Sequence, residues 1–340
     1  MKAWVTLGYF DDRGDGAVIE LDASSGLSRE VMHFDAPPAL RVPAKGFTGA
    51  CWTGLAGRSD LLVCGPAAVF RFDRDLRHAG TVALPSFNDL HGVHCSGDRM
   101  YVVNTGLDCV DVFDMQGCFV GSHSFEAAWL MGPRQRGDTP TRDDWHRLHG
   151  IGWRGEGYAF DAAKPGESYY RGVETEPFHV RQQRDYVHPN HVCVLDGRVL
   201  VTSLVRRGVI DISNWCQVVT VDSPPHDGLV RDGGFYMTRV DGYVERRDTT
   251  ALGEAGMVTD VTALSGVSGW CRGIHLDEEL LWVGFTAIRN KPGHPWDRGD
   301  FASTSTSVVA LDRRSGAVVR IFDLEDASRH SKVFAILEAA

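Results

Sequence analysis

Three features of the chain predict an all-β fold, a single β-propeller spanning residues 1–340. A short β-hairpin recurs along the sequence, glycine-bearing turns join short apolar runs, and the last apolar run has no partner near it. The hairpin is clearest at Leu90-His91-Gly92-Val93-His94-Cys95, a Gly97-Asp98 turn, then Met100-Tyr101-Val102-Val103. Leu148-His149-Gly150-Ile151 followed by Tyr158 repeats it. So do Asn190-His191-Val192 before Val199-Leu200-Val201, His226-Asp227-Gly228-Leu229 before Asp232-Gly233-Gly234, and Arg272-Gly273-Ile274 before Asp277. A looser copy runs from Thr48-Gly49-Ala50 to Leu61-Leu62-Val63.

In chain order, Trp4–Leu7, Val18–Asp22 and Arg29–Met32 read as three strands. The third strand of a blade ends in an apolar residue and an aspartate before a turn: Leu21-Asp22, Phe72-Asp73, Phe113-Asp114 and Leu311-Asp312. The tail Lys332–Leu337 is expected to pair with Trp4–Gly8 as the innermost strand of the N-terminal blade, which closes the ring and removes an open sheet edge. Inner strands beginning near Thr48, His91, His149, Asn190, His226, Arg272 and His330 make seven blades; if 148–187 is an insertion, the ring has six. Segments 126–147 and 286–304, rich in Pro, Gly and Asp, are expected as long loops and candidate lids.

Several classes of function fall away on composition. A formal net charge of −10 argues against nucleic acid, whose phosphates need a basic face. No apolar run is long enough to span a membrane, and the N-terminus turns polar too soon for a signal peptide. Eight cysteines without a CxxC pair read as buried, reduced thiols of a cytoplasmic protein. There is no Gly-x-Ser-x-Gly elbow, phosphate-cradling glycine loop or dinucleotide fingerprint.

Leu148-His149-Gly150-Ile151, Val102-Val103-Asn104-Thr105, Pro225-His226-Asp227-Gly228, and Arg272-Gly273-Ile274 with Trp282-Val283-Gly284-Phe285 together resemble bacterial NHL/YVTN-like propellers, more narrowly a family of conserved proteins of unknown function. The resemblance covers roughly residues 45–290 and implies the fold; it brings no chemistry with it.

The chemistry is expected where the inner strands begin. Two residues ahead of each first apolar residue, or three at His226 and His330, stand Thr48, His91, His149, Asn190, His226, Arg272 and His330; four of these seven are histidine in a chain with only 14. Imidazoles converging on one axis suit a divalent transition metal, with Fe, Mn and Zn not distinguished. His188 and His191 flank Asn190 as alternative ligands from that blade, and a one-residue slip at Pro225–Gly228 would aim Asp227 rather than His226 at the axis. His94 and His275 are expected as core histidines. Tyr170, Arg171, Arg272 and Asn190 are the candidate substrate-handling residues, arginine offering a planar fork to a carboxylate or phosphate. Two functions follow. One is a metal-dependent lyase, isomerase, hydrolase or oxygenase acting on a small polar or anionic substrate at the channel mouth. The other is a non-catalytic propeller that binds a small molecule or a protein.

Overall fold

The computed structural model describes residues 1–54, 60–84, 86–125, 187–288 and 304–340. The chain opens with β1 (Lys2–Tyr9), β2 (Gly16–Asp22) and β3 (Leu27–Phe34). Four strands follow in each later unit. They are β4 (Gly49–Trp52), β5 (Leu61–Gly65), β6 (Ala68–Phe72) and β7 (His78–Val82), then β8 (Leu90–Ser96), β9 (Arg99–Asn104), β10 (Cys109–Asp114) and β11 (Phe119–Ser124). Next come β12 (Pro189–Leu195), β13 (Arg198–Ser203), β14 (Gly208–Asp211) and β15 (Cys216–Thr220), and β16 (Pro225–Arg231), β17 (Gly234–Arg239), β18 (Tyr243–Asp248) and β19 (Met257–Asp260). The one-turn helix α1 (Val261–Ser265) precedes β20 (Trp270–Leu276), β21 (Leu280–Thr286), β22 (Ser307–Asp312) and β23 (Val318–Asp323); β24 (Ser331–Glu338) ends the chain.

These strands make six four-stranded antiparallel sheets. β24 joins the N-terminal sheet inside β1, with Trp4 opposite Leu337 and Gly8 opposite Lys332. The innermost strands β24, β4, β8, β12, β16 and β20 adjoin one another in that order, and β20 adjoins β24 again. The molecule is therefore a six-bladed propeller closed by its C-terminal strand, and the seven-blade expectation is corrected. The extra blade was to lie between β8 and β12, but these strands pack directly on each other. His91 Nδ1 is 3.0 Å from Asn190 Oδ1, and Thr105 Oγ1 donates to the Pro189 carbonyl at 2.6 Å. A hairpin at 148–158 is a local signal, whereas blade number depends on which inner strands abut.

Local chemistry explains the regularity. All six third strands lead into an aspartate whose Oδ1 accepts backbone N–H groups two to four residues on: Asp22, Asp73, Asp114, Asp211, Asp248 and Asp312. This Asx turn ends each strand and starts the outermost one. Asp211 follows Ile210 and fits the same apolar–aspartate step, whereas Asp248 follows Arg247 and departs from it. The space between blades is filled by fully buried side chains such as Phe70, Phe72, Phe87, Phe113 and Trp282. Each such ring contributes about 1.5–3 kcal/mol by leaving water. Among the described residues no helix is long and apolar enough to cross a membrane. All eight thiols are free, as expected, but Cys118 and Cys216 are exposed rather than buried.

Candidate functional site at the channel mouth

Every inner strand starts on the same face of the ring, and most of them are irregular there. The pairing of inner with second strand shifts at Leu90/Gly92, Pro189/His191, Pro225/Gly228 and Arg272/Ile274. A bulge turns a side chain out of the alternating pattern and aims it elsewhere. Buried threonines hold these irregularities. Thr202 Oγ1 accepts from His191 N at 3.1 Å and donates to the His226 carbonyl of the next blade at 2.5 Å. Thr238 Oγ1 accepts from Asp227 N at 3.0 Å, and Thr6 Oγ1 from Ala335 N at 2.9 Å. Backbone groups freed by the bulges thus keep partners.

The bulge at Pro225–Gly228 settles the register question in favour of both residues. His226 and Asp227 both reach the mouth, and His226 Nδ1 lies 2.7 Å from Asp227 Oδ2. The same carboxylate oxygen accepts from Gly273 N at 2.6 Å. Gly273 has φ +73°, and a Cβ there would meet the Phe334 carbonyl at 2.5 Å, so this position requires glycine. Burial works to raise the Asp227 carboxyl, but His226, His191 and the Gly273 N–H outweigh it and hold it at about 2. Burial pushes the His226 imidazole down to about 4, against the pull of Asp227. At neutral pH the pair is thus a carboxylate beside a neutral ring. An ionised carboxylate only accepts, so Nδ1 carries the proton and Nε2 the lone pair.

A second group surrounds His91. Its Nδ1 faces Asn190 Oδ1, and its Nε2 is 3.5 Å from Asp89 Oδ2. Asn190 Nδ2 donates to the Pro225 carbonyl at 3.4 Å, which fixes the direction of the amide. Lys45 Nζ donates to Asp89 Oδ1 at 2.7 Å. The His91 ring lies 5.5 Å from that of His188 and 6.1 Å from that of His226. Burial pushes the His91 imidazole below its ordinary value, against Asp89.

Blade 1 supplies Lys332 instead of the expected histidine. His330 has φ +58°, its side chain is 41% exposed, and its Nδ1 is 3.4 Å from Glu325 Oε1, away from the axis. Lys332 is buried, donates to the Ala44 carbonyl, and rests 3.8 Å from the Phe10 ring. Burial, with Lys45 and Arg272, pushes its amine down to about 6. Blade 6 supplies Arg272, only 5% exposed. Thr48 is buried and donates to the Cys64 carbonyl at 3.3 Å. His149, Tyr170 and Arg171 lie outside the described residues, as does almost all of both candidate lids. The flanks of 126–186 meet the ring on the mouth face, where Phe125 N bonds the Asp108 carbonyl at 3.0 Å and His188 N its carboxylate at 2.7 Å.

Below the mouth a channel cavity of about 300 Å³ is lined from all six inner strands by Ala50, His94, His191, Asp227, His275 and Ala335, among others. His94 and His275 therefore face the channel, a correction to their expected place in the core. Among the described residues, the metal-competent cluster is not at the axis. It is Asp15, His33 and Asp35, whose ligand atoms lie within 4.8 Å of one another over the outer part of blade 1. Among the described residues the axial imidazoles do not gather three ligand atoms so closely, and both nitrogens of His91 face protein groups; His149, another of the expected ligands, lies outside them. Asp89, Lys45 and Lys332 were missed in the sequence; the first two precede their inner strands in turns, and alternation in Lys332–Leu337 points only to a strand.

No family model matches the chain, and no curated protein does. Solved structures do. A protein of unknown function from Bacteroides caccae aligns over 98% of this chain and 97% of its own, at 12% identity and TM-score 0.55. A chain of the nidogen/laminin complex aligns over 99% of this chain and 97% of its own, at 10% identity and TM-score 0.56. A Bacteroides fragilis protein provisionally named a 6-phosphogluconolactonase covers 93% of this chain and 79% of its own, at 12% identity and TM-score 0.47. At such identities the likeness is one of fold, and nothing in it singles out the NHL/YVTN-like group. The chain is a β-propeller, of six blades.

Proposed function

We propose that the channel mouth is the active site of an enzyme of lyase, isomerase or hydrolase type, with His226 as general base toward a small polar or anionic molecule. The observation that carries this is the 2.7 Å contact that pins a neutral His226 to an ionised Asp227. Nε2 takes a proton from a substrate carbon or from water, and the ring becomes an imidazolium whose charge Asp227 offsets. The electron pair stays on the substrate, near the cation of Arg272, which favours the developing negative charge. The channel volume suits a small molecule rather than a polymer. Eight free thiols agree with a reducing, cytoplasmic setting. Kinship with NHL/YVTN-like propellers rests on the four short motifs and adds nothing to the chemistry.

The test is exchange. The full chain is incubated with a panel of small carbonyl and hydroxy compounds in deuterated water, and NMR reads deuterium uptake and product formation. His226→Gln is expected to lower turnover by roughly 10²–10⁴, and Asp227→Asn to do the same by presenting the wrong tautomer. Chelator is expected to leave the rate unchanged. A His226→Gln protein that folds and turns over normally defeats this reading and favours the binding module. Loss of turnover with chelator, together with stoichiometric metal in untagged protein, would favour the metal-dependent one.

A further inference from the structure

The general-base proposal leaves the substrate's chemical class open. We propose that the molecule taken at the mouth carries a carboxylate, and that its two oxygens bind the guanidinium of Arg272. The inference deepens that reading and rests on the mouth being the functional face.

Arg272 is 5% exposed, yet no hydrogen bond or ion pair joins it to a described residue, and its Nε is buried without a partner. What it touches is aromatic: its Cζ lies 4.5 Å from the centroid of Trp270 and 4.7 Å from that of Phe334. Contact with ring faces uses none of the five N–H donors. A buried charge with unmet donors is costly unless something completes it. The neighbouring carboxylates do not complete it, because they are already engaged. Asp227 holds His226 and Gly273 N, and Asp89 holds Lys45 and faces His91. Both act on Arg272 only through the field, while burial pushes its guanidinium down to about 10.

Among the described residues nothing completes the fork, and the partner we assign to it is an anion from outside. The fork of a guanidinium matches the two coplanar oxygens of a carboxylate. Asp227 and Asp89 favour a single negative charge over the double charge of phosphate, since each further charge adds repulsion at short range. Asn190 and the amine of Lys332 lie in the same cluster and offer further donors to such a group.

The full chain is titrated with sodium acetate, sodium succinate or sodium phosphate, with chloride matching the ionic strength. Melting temperature and heat of binding are read. The carboxylates are expected to stabilise saturably, and Arg272→Gln and Arg272→Lys each to weaken that binding about tenfold or more, the lysine having charge but no fork. Both variants should melt without ligand close to the parent. Two results overturn the inference: normally melting variants that bind carboxylate as the parent does, or saturable binding of phosphate alone. His226→Gln separates the two proposals. If it keeps carboxylate binding and full turnover, the general-base reading falls and this one stands. If it is inactive while the parent binds no carboxylate, only this one falls.

Discussion

Two buried arginines on neighbouring blades are put to opposite use. Arg247, on β18, is 7% exposed. Its Nε donates to Glu245 at 2.6 Å, and its Nη groups reach the carbonyls of Leu252 at 3.2 Å, Thr220 at 3.3 Å and Glu254. It ties β18 to the turn after it and to the neighbouring blade's outer strand. Arg272, on β20, is as deeply buried and has ring faces but no acceptor among the described residues. The first arrangement is that of a strut. The second leaves a charged fork at the one place where all six blades converge, which is where a ligand arrives. Arg329 sides with Arg247: it bonds Asp11 and Asp15 and lies 3.6 Å from the Tyr9 ring.

The comparison breaks if the two arginines respond alike to removal. Arg247→Gln takes the nearer of two cations from buried Glu245, leaving Arg239 at 3.7 Å, and should cost about 3 kcal/mol, the low end for a broken buried pair, read as a fall in the denaturation midpoint. A loss under about 1 kcal/mol would mean that the network is not a strut. Lys332→Met sharpens the contrast at the mouth. The Lys332 amine is depressed in the fold, so its stability contribution is complete above the unfolded value near 10.4 and is lost as pH falls toward about 6. Lys332→Met should therefore be the more stable protein at neutral pH, by an amount shrinking by up to about 1.4 kcal/mol per unit as pH rises toward 10. A pH-independent difference would refute this. Arg272→Met should change stability by no more than about 1 kcal/mol, and in the stabilising direction, because a charge lacking partners is replaced by an apolar chain. A large loss would place Arg272 with Arg247. The smallest effect is proton uptake. An anion beside Arg272 also relieves the Lys332 amine, which faces Lys45, Arg272, Asp89 and Asp11, so carboxylate binding near pH 7 should draw in a fraction of a proton. Calorimetry in two buffers of different ionisation heat measures it.

What the sequence determined by itself was local and periodic. Alternation and glycine turns specify strands, Leu21-Asp22 and Leu311-Asp312 specify Asx turns, and an apolar tail at Lys332–Leu337 with no nearby partner specifies closure onto Trp4–Gly8. All of these follow from side-chain period and turn chemistry within a few residues. The slots at His91, Asn190, His226 and Arg272 were legible for the same reason, since each sits at a strand start. Tertiary structure decided the rest. Six blades rather than seven follows from β8 packing on β12, a contact between residues about a hundred positions apart. Lys332 rather than His330 reaches the mouth because the backbone at His330 turns to positive φ and sends the ring toward Glu325. Whether His226 binds a metal or Asp227, and whether Arg272 is paired, depends on angstrom-scale placement by bulges that no periodicity encodes. A hairpin repeats by its own turn, but a side chain's partner is set by where the other five blades bring theirs.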